Sequence, residues 1–224
     1  MVRFLSSEEP ATPPDGDMST GRLRADDRAD RRDAILDAAR EQLIDHGPAA
    51  RSMLAVAKRA NASKETLYSW FGNKDGVLTA LIERNADRTM ERIKTAMDDL
   101  DIDPRDALAG FAAGLLALLT AEGSVALNRA AMSSPALASR LLDSGRFRVG
   151  PIVEGYLGDL HGRGVIDADD APAAFELLYG LIVRDLQIRI LLGEPAPDVE
   201  QLERRAHEAV DQFFRLCAPT DRRR

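Results

Sequence analysis

Residues suited to binding an anion lie close together between positions 64 and 74 of this 224-residue chain. Tyr68 and Trp70, the only tryptophan, stand there between Lys64 and Lys74, although aromatic residues make up just 5% of the sequence. A lysine ammonium supplies a point charge for phosphate, and Tyr and Trp combine an apolar ring with a hydrogen-bond donor. The grouping predicts a surface that grips a nucleic-acid backbone, with the Trp70 indole N–H on a phosphate.

The same segment separates inward from outward positions. Leu67 and Phe71 stand four residues apart, so on a helix they point to the same side and are predicted to be core. Hydroxyls serve phosphates or base edges, whereas the Glu65 carboxylate either repels phosphate or accepts a hydrogen bond from N4 of cytosine. The residues predicted to face DNA are Ser52, Lys64, Glu65, Thr66, Tyr68, Ser69, Trp70 and Lys74.

Two short helices are needed to position these side chains. Ser52 is a suitable N-cap for a helix that ends near Arg59, and Ser63 is one for a second helix that ends at Phe71-Gly72. The tight turn "ANAS" between them contains Asn61, a residue that enters the left-handed region readily. This pattern is typical of a helix-turn-helix, in which the second helix lies in the major groove of DNA.

A longer helix is predicted on each side of this pair. The first runs from Ala25–Arg28 to His46, where "HGP" ends it. The second, capped by Asn73, runs from Lys74 to Met97. The acidic stretch "DDLDIDP" after it is predicted to be a domain boundary.

The remainder of the sequence also has a helical pattern. Ala and Leu dominate it, and it has no sustained alternation of apolar and polar residues, so the chain is predicted to be all-α. Further helices are predicted at Pro104–Thr120, Ser124–Met132, Pro135–His161, Ala171–Leu192 and Val199–Cys217. The third of these is predicted to bend or break near Gly150-Pro151.

Charge differs between the two parts of the chain. The formal net charge is -7, yet residues 51–74 contain five basic residues and one acidic residue, and residues from 96 onward contain 14 basic and 21 acidic ones. Such asymmetry favours a nucleic-acid-facing part joined to one with another task.

Other features narrow the class of protein. A lone cysteine, Cys217, excludes an intramolecular disulfide framework and fits a reducing cytoplasm. The polar residues 1–24 are predicted to be a disordered leader, in which Met18 is an alternative start. The apolar run Ala107–Ala121 is shorter than the ~20 residues that span a bilayer, so we expect a buried central helix and no membrane association. Neither a catalytic set nor metal-ligand spacing is found, which predicts that the chain is not an enzyme and binds no metal or cofactor.

The segment "VAKRANASKETLYSWFGNKDGVL" resembles the signature of the TetR family of transcriptional regulators. Its T-L-Y-x-x-F core followed by Lys74 matches, while Asn61 and Glu65 stand where the family usually has glycine. The segments "LNRAAMSSPALASRLLDSG" and "GVIDADDAPAAFELLYGLI" resemble AefR-like C-terminal domains. The resemblance implies domains at 25–73 (helix-turn-helix), 74–97 (connecting helix) and 98–217 (ligand binding and dimerisation), then a tail at 218–224.

The resemblance also implies two sites in the C-terminal part. A cavity for an unidentified small-molecule effector is expected, with candidate residues Phe111, Leu115, Leu118, Arg129, Met132, Phe147, Tyr156, Tyr179, Arg184 and Gln187. A homodimer is expected through the last two helices, with apolar stripes formed by Phe175, Leu178, Ile182, Leu186, Leu202, Ala206, Val210, Phe213 and Phe214.

These observations together predict a homodimeric regulator that binds palindromic double-stranded DNA and is released by its effector as a repressor. Two alternatives remain open from the sequence: an activator of the same fold, and a helical adaptor that uses its helix-turn-helix to bind protein.

Overall fold

The computed structural model describes residues 19–47, 52–99 and 101–219, and every regular element within these ranges is an α-helix. This confirms the all-α prediction. The Pro48 stop signal, most of the predicted leader and the end of the predicted tail lie outside the described residues.

Eleven helices are described in these ranges: α1 Ser19–His46, α2 Met53–Arg59, α3 Lys64–Phe71, α4 Lys74–Asp98, α5 Pro104–Thr120, α6 Glu122–Ala131, α7 Pro135–Ser144, α8 Arg146–Gly162, α9 Ala171–Val183, α10 Leu186–Leu191 and α11 Val199–Leu216.

Helix α1 begins before the position that the sequence predicts. It starts at Ser19, so the last six residues of the predicted leader, 19–24, are helical. Arg22, Leu23 and Arg24 are good helix formers and continue the helix backwards from Ala25. The described residues as far as Ala34 belong to one compact unit, in which the side chains of residues 27–32 are exposed. The described residues from Ile35 onward belong to a second unit.

Within the second unit, an N-terminal core joins the rest of α1 to α2, α3 and the beginning of α4. Ile35, Leu36, Leu67 and Leu81 are completely buried in it. Each such side chain contributes roughly 1.5–3 kcal/mol through its removal from water. The packing of this core therefore fixes the orientation of α3 relative to α1, α2 and α4.

Helices α6 and α7 also belong to the N-terminal core. Leu127 and Ala130 of α6 and Leu137 of α7 are buried against it. At the start of α6, a Cβ added to Gly123 would lie 3.1 Å from the side chain of Arg40 on α1. The first helices of the N-terminal core are thus packed directly against helices from the later part of the chain.

A C-terminal core is built mainly from α5, α8, α9 and α11, with Leu116, Leu157, Leu178 and Phe213 completely buried. Helix α5 has the predicted bounds, but it is not buried on every side as predicted. It exposes a strip of small residues, with Gly110, Gly114 and Ala117 open to solvent, because its neighbours cover only its other faces.

Two of the predicted helical segments, Pro135–His161 and Ala171–Leu192, are each divided into two helices. The break in Pro135–His161 falls at Gly145, whose N–H bonds Leu141 O at 3.0 Å. Of the bend or break predicted near Gly150-Pro151, the break is wrong, because α8 continues through both residues. Pro151 lies inside α8, where its missing N–H removes a single bond of the helical ladder.

The other break separates α9 from α10 at Arg184, a non-glycine residue with φ 48°. Arg205 of α11 satisfies the exposed carbonyl groups there, donating to Ile182 O and Val183 O at 2.9 Å each. An arginine at a helix C-terminus also favours the negative end of the helix dipole. The long-range contact with α11 thereby stabilises a break that local sequence does not announce.

The predicted dimer stripes require a correction. All nine of their residues are buried within the C-terminal core of a single chain. The physical reason is that α11 is strongly amphipathic and α5 supplies an apolar surface in the same chain, so the stripes pack internally. The exposed apolar side chains in this region are others, among them Leu177 of α9 and Ile188 of α10.

Among the described residues, no single helix has both the length and the apolar composition required to cross a membrane. The pair α5 and α6 meets those two criteria only when taken together across a bend of 63°.

Candidate nucleic-acid interface

Local hydrogen bonds define the beginnings of the three helices that form the site. Ser52 caps α2 by accepting from Ala55 N–H at 3.4 Å, and Ser63 caps α3 by accepting from Thr66 N–H at 3.0 Å. Asn73 caps α4, with its side-chain oxygen 2.9 Å from the N–H of Gly76. The three caps are those predicted, and each satisfies a backbone donor that has no partner within its helix.

The turn between α2 and α3 depends on Asn61. Its φ is 49°, in the left-handed region, and its N–H reaches Lys58 O at 3.3 Å. Ala62 N–H bonds Ala57 O at 2.9 Å across the same turn. Asparagine enters this region more readily than most non-glycine residues, so it accommodates the turn as predicted.

The turn between α3 and α4 depends on two glycines. Gly72 ends α3 with φ 73°, a conformation that glycine adopts without steric cost. A Cβ on Gly76 would lie 1.9 Å from the backbone oxygen of Phe71, so only glycine permits this approach. The close packing of α4 on the end of α3 places Lys74 beside the exposed face of α3.

Helix α3 has one buried and one exposed side. Leu67 is completely buried and Phe71 is buried, as the spacing predicts. Lys64, Glu65, Tyr68 and Ser69 are exposed, whereas Thr66 and Trp70 are half-buried. The inward side is thus anchored in the N-terminal core, and the outward side carries polar groups able to bind a duplex.

An open cleft of about 430 Å³ lies between α2, α3 and the start of α4. Four of the residues predicted to bind DNA line it together, and we refer to it as the α2–α3–α4 cleft. Its lining consists of Ser52, Met53, Leu54, Lys64, Tyr68, Asn73 and Lys74.

Sequence reasoning did not identify Leu54 as part of this site. Its side chain is 65% exposed, while Met53 and Val56 on the same helix are buried. One signal in the sequence was available. Leu54 is the second residue of α2 and does not belong to the buried pattern of this helix. An exposed leucine in this cleft offers an apolar contact, which in the major groove suits the methyl group of thymine.

Lysine and tyrosine are coupled within the cleft. The Lys64 ammonium lies 5.6 Å from the centre of the Tyr68 ring, within the range of a cation–π interaction. This contact orients the flexible lysine without using its hydrogen-bond donors, which stay available for an anion. Tyr68 is 45% exposed, so much of its side chain also faces the solvent.

Trp70 combines two roles. Its ring packs against the N-terminal core and meets the Phe71 ring edge to face at a centroid distance of 6.5 Å. Such a pair contributes about 0.5–1.5 kcal/mol beyond the area that it buries. Trp70 therefore supports the C-terminal end of α3, and its contact with a phosphate stays a prediction.

The predicted effector-binding residues line neither of two spaces found in the described part of the chain. Besides the α2–α3–α4 cleft, a pocket of about 20 Å³ lies between α1, α2 and α4, large enough for a water molecule, and none of those residues lines either space. Met132 and Phe147 are 66% and 61% exposed, so their assignment to an enclosed cavity is corrected to surface positions. Each ends or begins a helix, where the chain leaves the core.

The other predicted effector-binding residues have structural contacts. Phe111 is buried in the C-terminal core; Leu115, Leu118, Tyr156, Tyr179 and Gln187 are half-buried. Arg129, predicted as a polar anchor, donates to Ile190 O at 2.9 Å and Leu191 O at 3.1 Å, which caps the end of α10. Arg184 donates to the side chain of Gln212 at 3.2 Å.

The comparisons with known proteins match both parts of the chain. Residues 35–81 match the family model "Bacterial regulatory proteins, tetR family", and residues 106–218 match "AefR-like transcriptional repressor, C-terminal domain". The HTH-type transcriptional repressor ComR of Escherichia coli is 30% identical over 108 residues, which are 48% of this chain and 50% of ComR. The chain spans 34% to 50% of the length of the curated relatives that it matches.

Solved structures are similar over most of the chain. A TetR transcriptional regulator from Agrobacterium tumefaciens is 35% identical with a TM-score of 0.67, covering 84% of this chain and 94% of the other. A TetR-family regulator from Mesorhizobium loti has the same fold, with a TM-score of 0.74, 24% identity and coverage of 84% and 96%. With a family model matched along half of its length and a relative of this identity over most of it, the chain belongs to the TetR family of bacterial regulatory proteins.

Proposed function

We propose that this chain is a DNA-binding transcriptional regulator in which α3 enters the major groove and the α2–α3–α4 cleft holds the adjacent backbone. The observation that carries the proposal is that Ser52, Lys64, Tyr68 and Lys74 line one open cleft beside the exposed face of α3. Two ammonium groups, two hydroxyls and the N-terminus of α4 suit a run of phosphates.

The basic charge of this region supports the same conclusion. It stands against a net charge of -7 for the whole chain, so attraction of DNA is confined to one surface. An acidic remainder repels the duplex and favours the approach of the basic surface. The adaptor alternative does not require this separation of charge.

The regulator acts as a homodimer on a palindromic operator. Two copies related by a two-fold axis present their α3 helices to half-sites one helical turn apart, ~34–36 Å, or a multiple of it. The outer faces of α9 and α10 offer the contact, because Leu177 and Ile188 are 38% and 49% exposed there. Gly180, also exposed, lies between them and permits close approach of a second helix.

The regulator is a repressor released by a small molecule, as the match to an AefR-like repressor domain suggests. An effector that prefers a C-terminal packing unsuited to the groove spacing lowers DNA affinity, and DNA lowers effector affinity by the same factor. A coupling free energy of ~1–3 kcal/mol would alter operator affinity roughly 5- to 150-fold.

A physical route exists for this coupling. Helices α6 and α7 share the N-terminal core, so a change in their packing is felt directly at α1 and α4. Arg84 of α4, which is buried, donates to Asp37 of α1 at 2.7 Å, and Arg148 of α8 donates to Asp87 of α4 at 2.7 Å. Helix α4 therefore contacts both the helices beneath α3 and the helices of the C-terminal core.

Selection of bound sequences from random duplex DNA with the purified protein tests the proposal. We expect a palindrome with two equal half-sites. Recovery of unrelated sequences with no enriched half-site would contradict it. Adding small apolar compounds to the complex with the selected operator then tests release, and a broad screen in which no compound alters operator affinity would argue against the effector.

A further inference from the structure

Glu65 is an exception on the surface proposed to bind DNA. It is the only acidic residue of α3, it is exposed, and it lies in the first turn of the helix between Lys64 and Thr66. The N-terminal residues of a recognition helix are those that reach base edges. A negative charge at this position opposes binding to phosphate and so requires another use.

Neighbouring groups hold the Glu65 carboxylate in its charged form. Its own backbone N–H, the Ser63 hydroxyl and the Lys64 ammonium, in this order of importance, lower the pKa of the Glu65 carboxyl. Ser63 is fixed in turn, because its oxygen accepts from Thr66 N–H and lies 3.0 Å from Thr66 Oγ1. At neutral pH, Glu65 therefore presents an ionised hydrogen-bond acceptor. The N-cap of α3 partly orients the Glu65 side chain.

The chemistry of the major groove restricts what such an acceptor can recognise. Guanine presents N7 and O6 acceptors and thymine presents O4, so a carboxylate is repelled by both. Adenine presents the N6 donor beside the N7 acceptor, which suits an amide better than a carboxylate. Cytosine presents the N4 amino group as its hydrogen-bonding group there, and this is the donor that Glu accepts from.

We propose that Glu65 determines operator specificity by accepting a hydrogen bond from N4 of one cytosine in each half-site and by excluding guanine and thymine at that position. The inference rests on the proposed function, since it requires α3 in the major groove. It adds the identity of one base and the residue that reads it. The lysines and hydroxyls of the α2–α3–α4 cleft then supply affinity, while Glu65 supplies discrimination.

The Glu65→Gln variant tests this directly, because it keeps the size of the side chain and replaces an oxygen acceptor with an amide donor. Bound sequences are selected from random duplex DNA with the unmodified protein and, separately, with the Glu65→Gln variant. We expect the full-length protein to enrich cytosine at one position of each half-site and Glu65→Gln to enrich adenine at that position, since Gln pairs with N6 and N7 of adenine. All other positions are expected to stay the same.

The size of the discrimination is measured by comparing the affinity for the operator with the affinity for an operator in which this cytosine is replaced by thymine. The unmodified protein is expected to discriminate by roughly 5- to 150-fold, the usual effect of one mismatched base pair, and Glu65→Ala is expected to lose most of this factor. Glu91→Gln, an equal change of charge at an exposed position of α4, is the matched control and is expected to keep the original base preference.

The outcomes separate the two levels of the proposal. Identical base preferences for the full-length protein and Glu65→Gln, with uniformly tighter binding by the variant to all sequences, would overturn the role of Glu65 while leaving the regulator intact. Absence of any selected sequence with the full-length protein would overturn the proposed function itself. Circular dichroism of each variant verifies that its helices are formed.

Discussion

The exposed face of α2 and α3 and the last helices of the chain are built on the same principle and reach opposite results. In both, an apolar stripe is buried, as Leu67 of α3 and Phe213 of α11 show. Around α3, burial of the stripe leaves chemically active side chains outside, grouped in one cleft. Around α11, the apolar stripe that the sequence predicts for contact with a second copy is buried inside the same chain. An apolar stripe identifies the side that is buried, but it does not identify what covers it.

The largest effect is expected from cavities in the two cores. Leu67→Ala in α3 and Leu178→Ala in α9 each remove a completely buried side chain and should lower the free energy of unfolding by about 2–5 kcal/mol. Urea denaturation followed by circular dichroism measures both. Leu54→Ala, at an exposed position of α2, should change it by less than about 0.5 kcal/mol. Equal losses for Leu54 and Leu67 would mean that the burial pattern of this region is wrong.

Removing the exposed aromatic residues should distinguish the two regions in function. Tyr68→Ala is expected to weaken operator binding roughly 5- to 150-fold (about 1–3 kcal/mol), since it removes a ring contact, a hydroxyl and the support of Lys64. Phe147→Ala, an equally drastic truncation at an exposed site of α8, should leave operator affinity unchanged. Fluorescence anisotropy with labelled operator measures both. If only the Phe147 variant lost operator binding, the DNA-binding surface would have to be assigned to the C-terminal part of the chain.

Helix caps allow a comparison at equal cost to stability. Ser63→Ala and Asp198→Ala each remove a side chain that accepts from a backbone N–H at its helix start, a loss of about 1 kcal/mol. Thermal denaturation should show similar decreases in Tm. Operator affinity should fall for Ser63→Ala only, because α3 alone carries the reading surface. An equal fall for both variants would show that affinity follows global stability.

The smallest effect is expected from the ion pair that joins the regions. Arg148 and Asp87 are both substantially exposed, so their pair should contribute less than about 1 kcal/mol in a double-mutant cycle with alanine. The packing of α6 and α7 against the N-terminal core, and not this ion pair, should then carry the coupling between effector binding and DNA binding. A coupling energy above about 2 kcal/mol would assign that role to the ion pair.

The helix-turn-helix could be predicted from sequence because its determinants are local. The caps at Ser52, Ser63 and Asn73 act within three residues of each helix start, and the turn at Asn61 depends on one backbone conformation. The spacing of Leu67 and Phe71 likewise decides which side of α3 is exposed. Three residues that line the cleft, Met53, Leu54 and Asn73, were not predicted to belong to it. Leu54 was missed because an exposed leucine resembles a core residue in sequence.

The C-terminal part could be predicted less well because its determinants are distant in sequence. The break at Arg184 is stabilised by Arg205, and the end of α10 by Arg129, more than sixty residues away along the chain. The sequence predicted a bend or break near Gly150-Pro151, whereas the chain leaves the helical path at Gly145. Which half-buried side chains would line an effector site depends on the space between helices, which the periodicity of the sequence does not encode.

The dependence of DNA affinity on salt tests the central claim most directly. For the full-length protein, the logarithm of the operator association constant should fall steeply and linearly with the logarithm of salt concentration. Lys64→Ala and Lys74→Ala should each reduce the magnitude of that slope by about 1, because each removes one phosphate contact. Slopes that both variants leave unchanged would contradict the assignment of the α2–α3–α4 cleft as the surface that holds the DNA backbone.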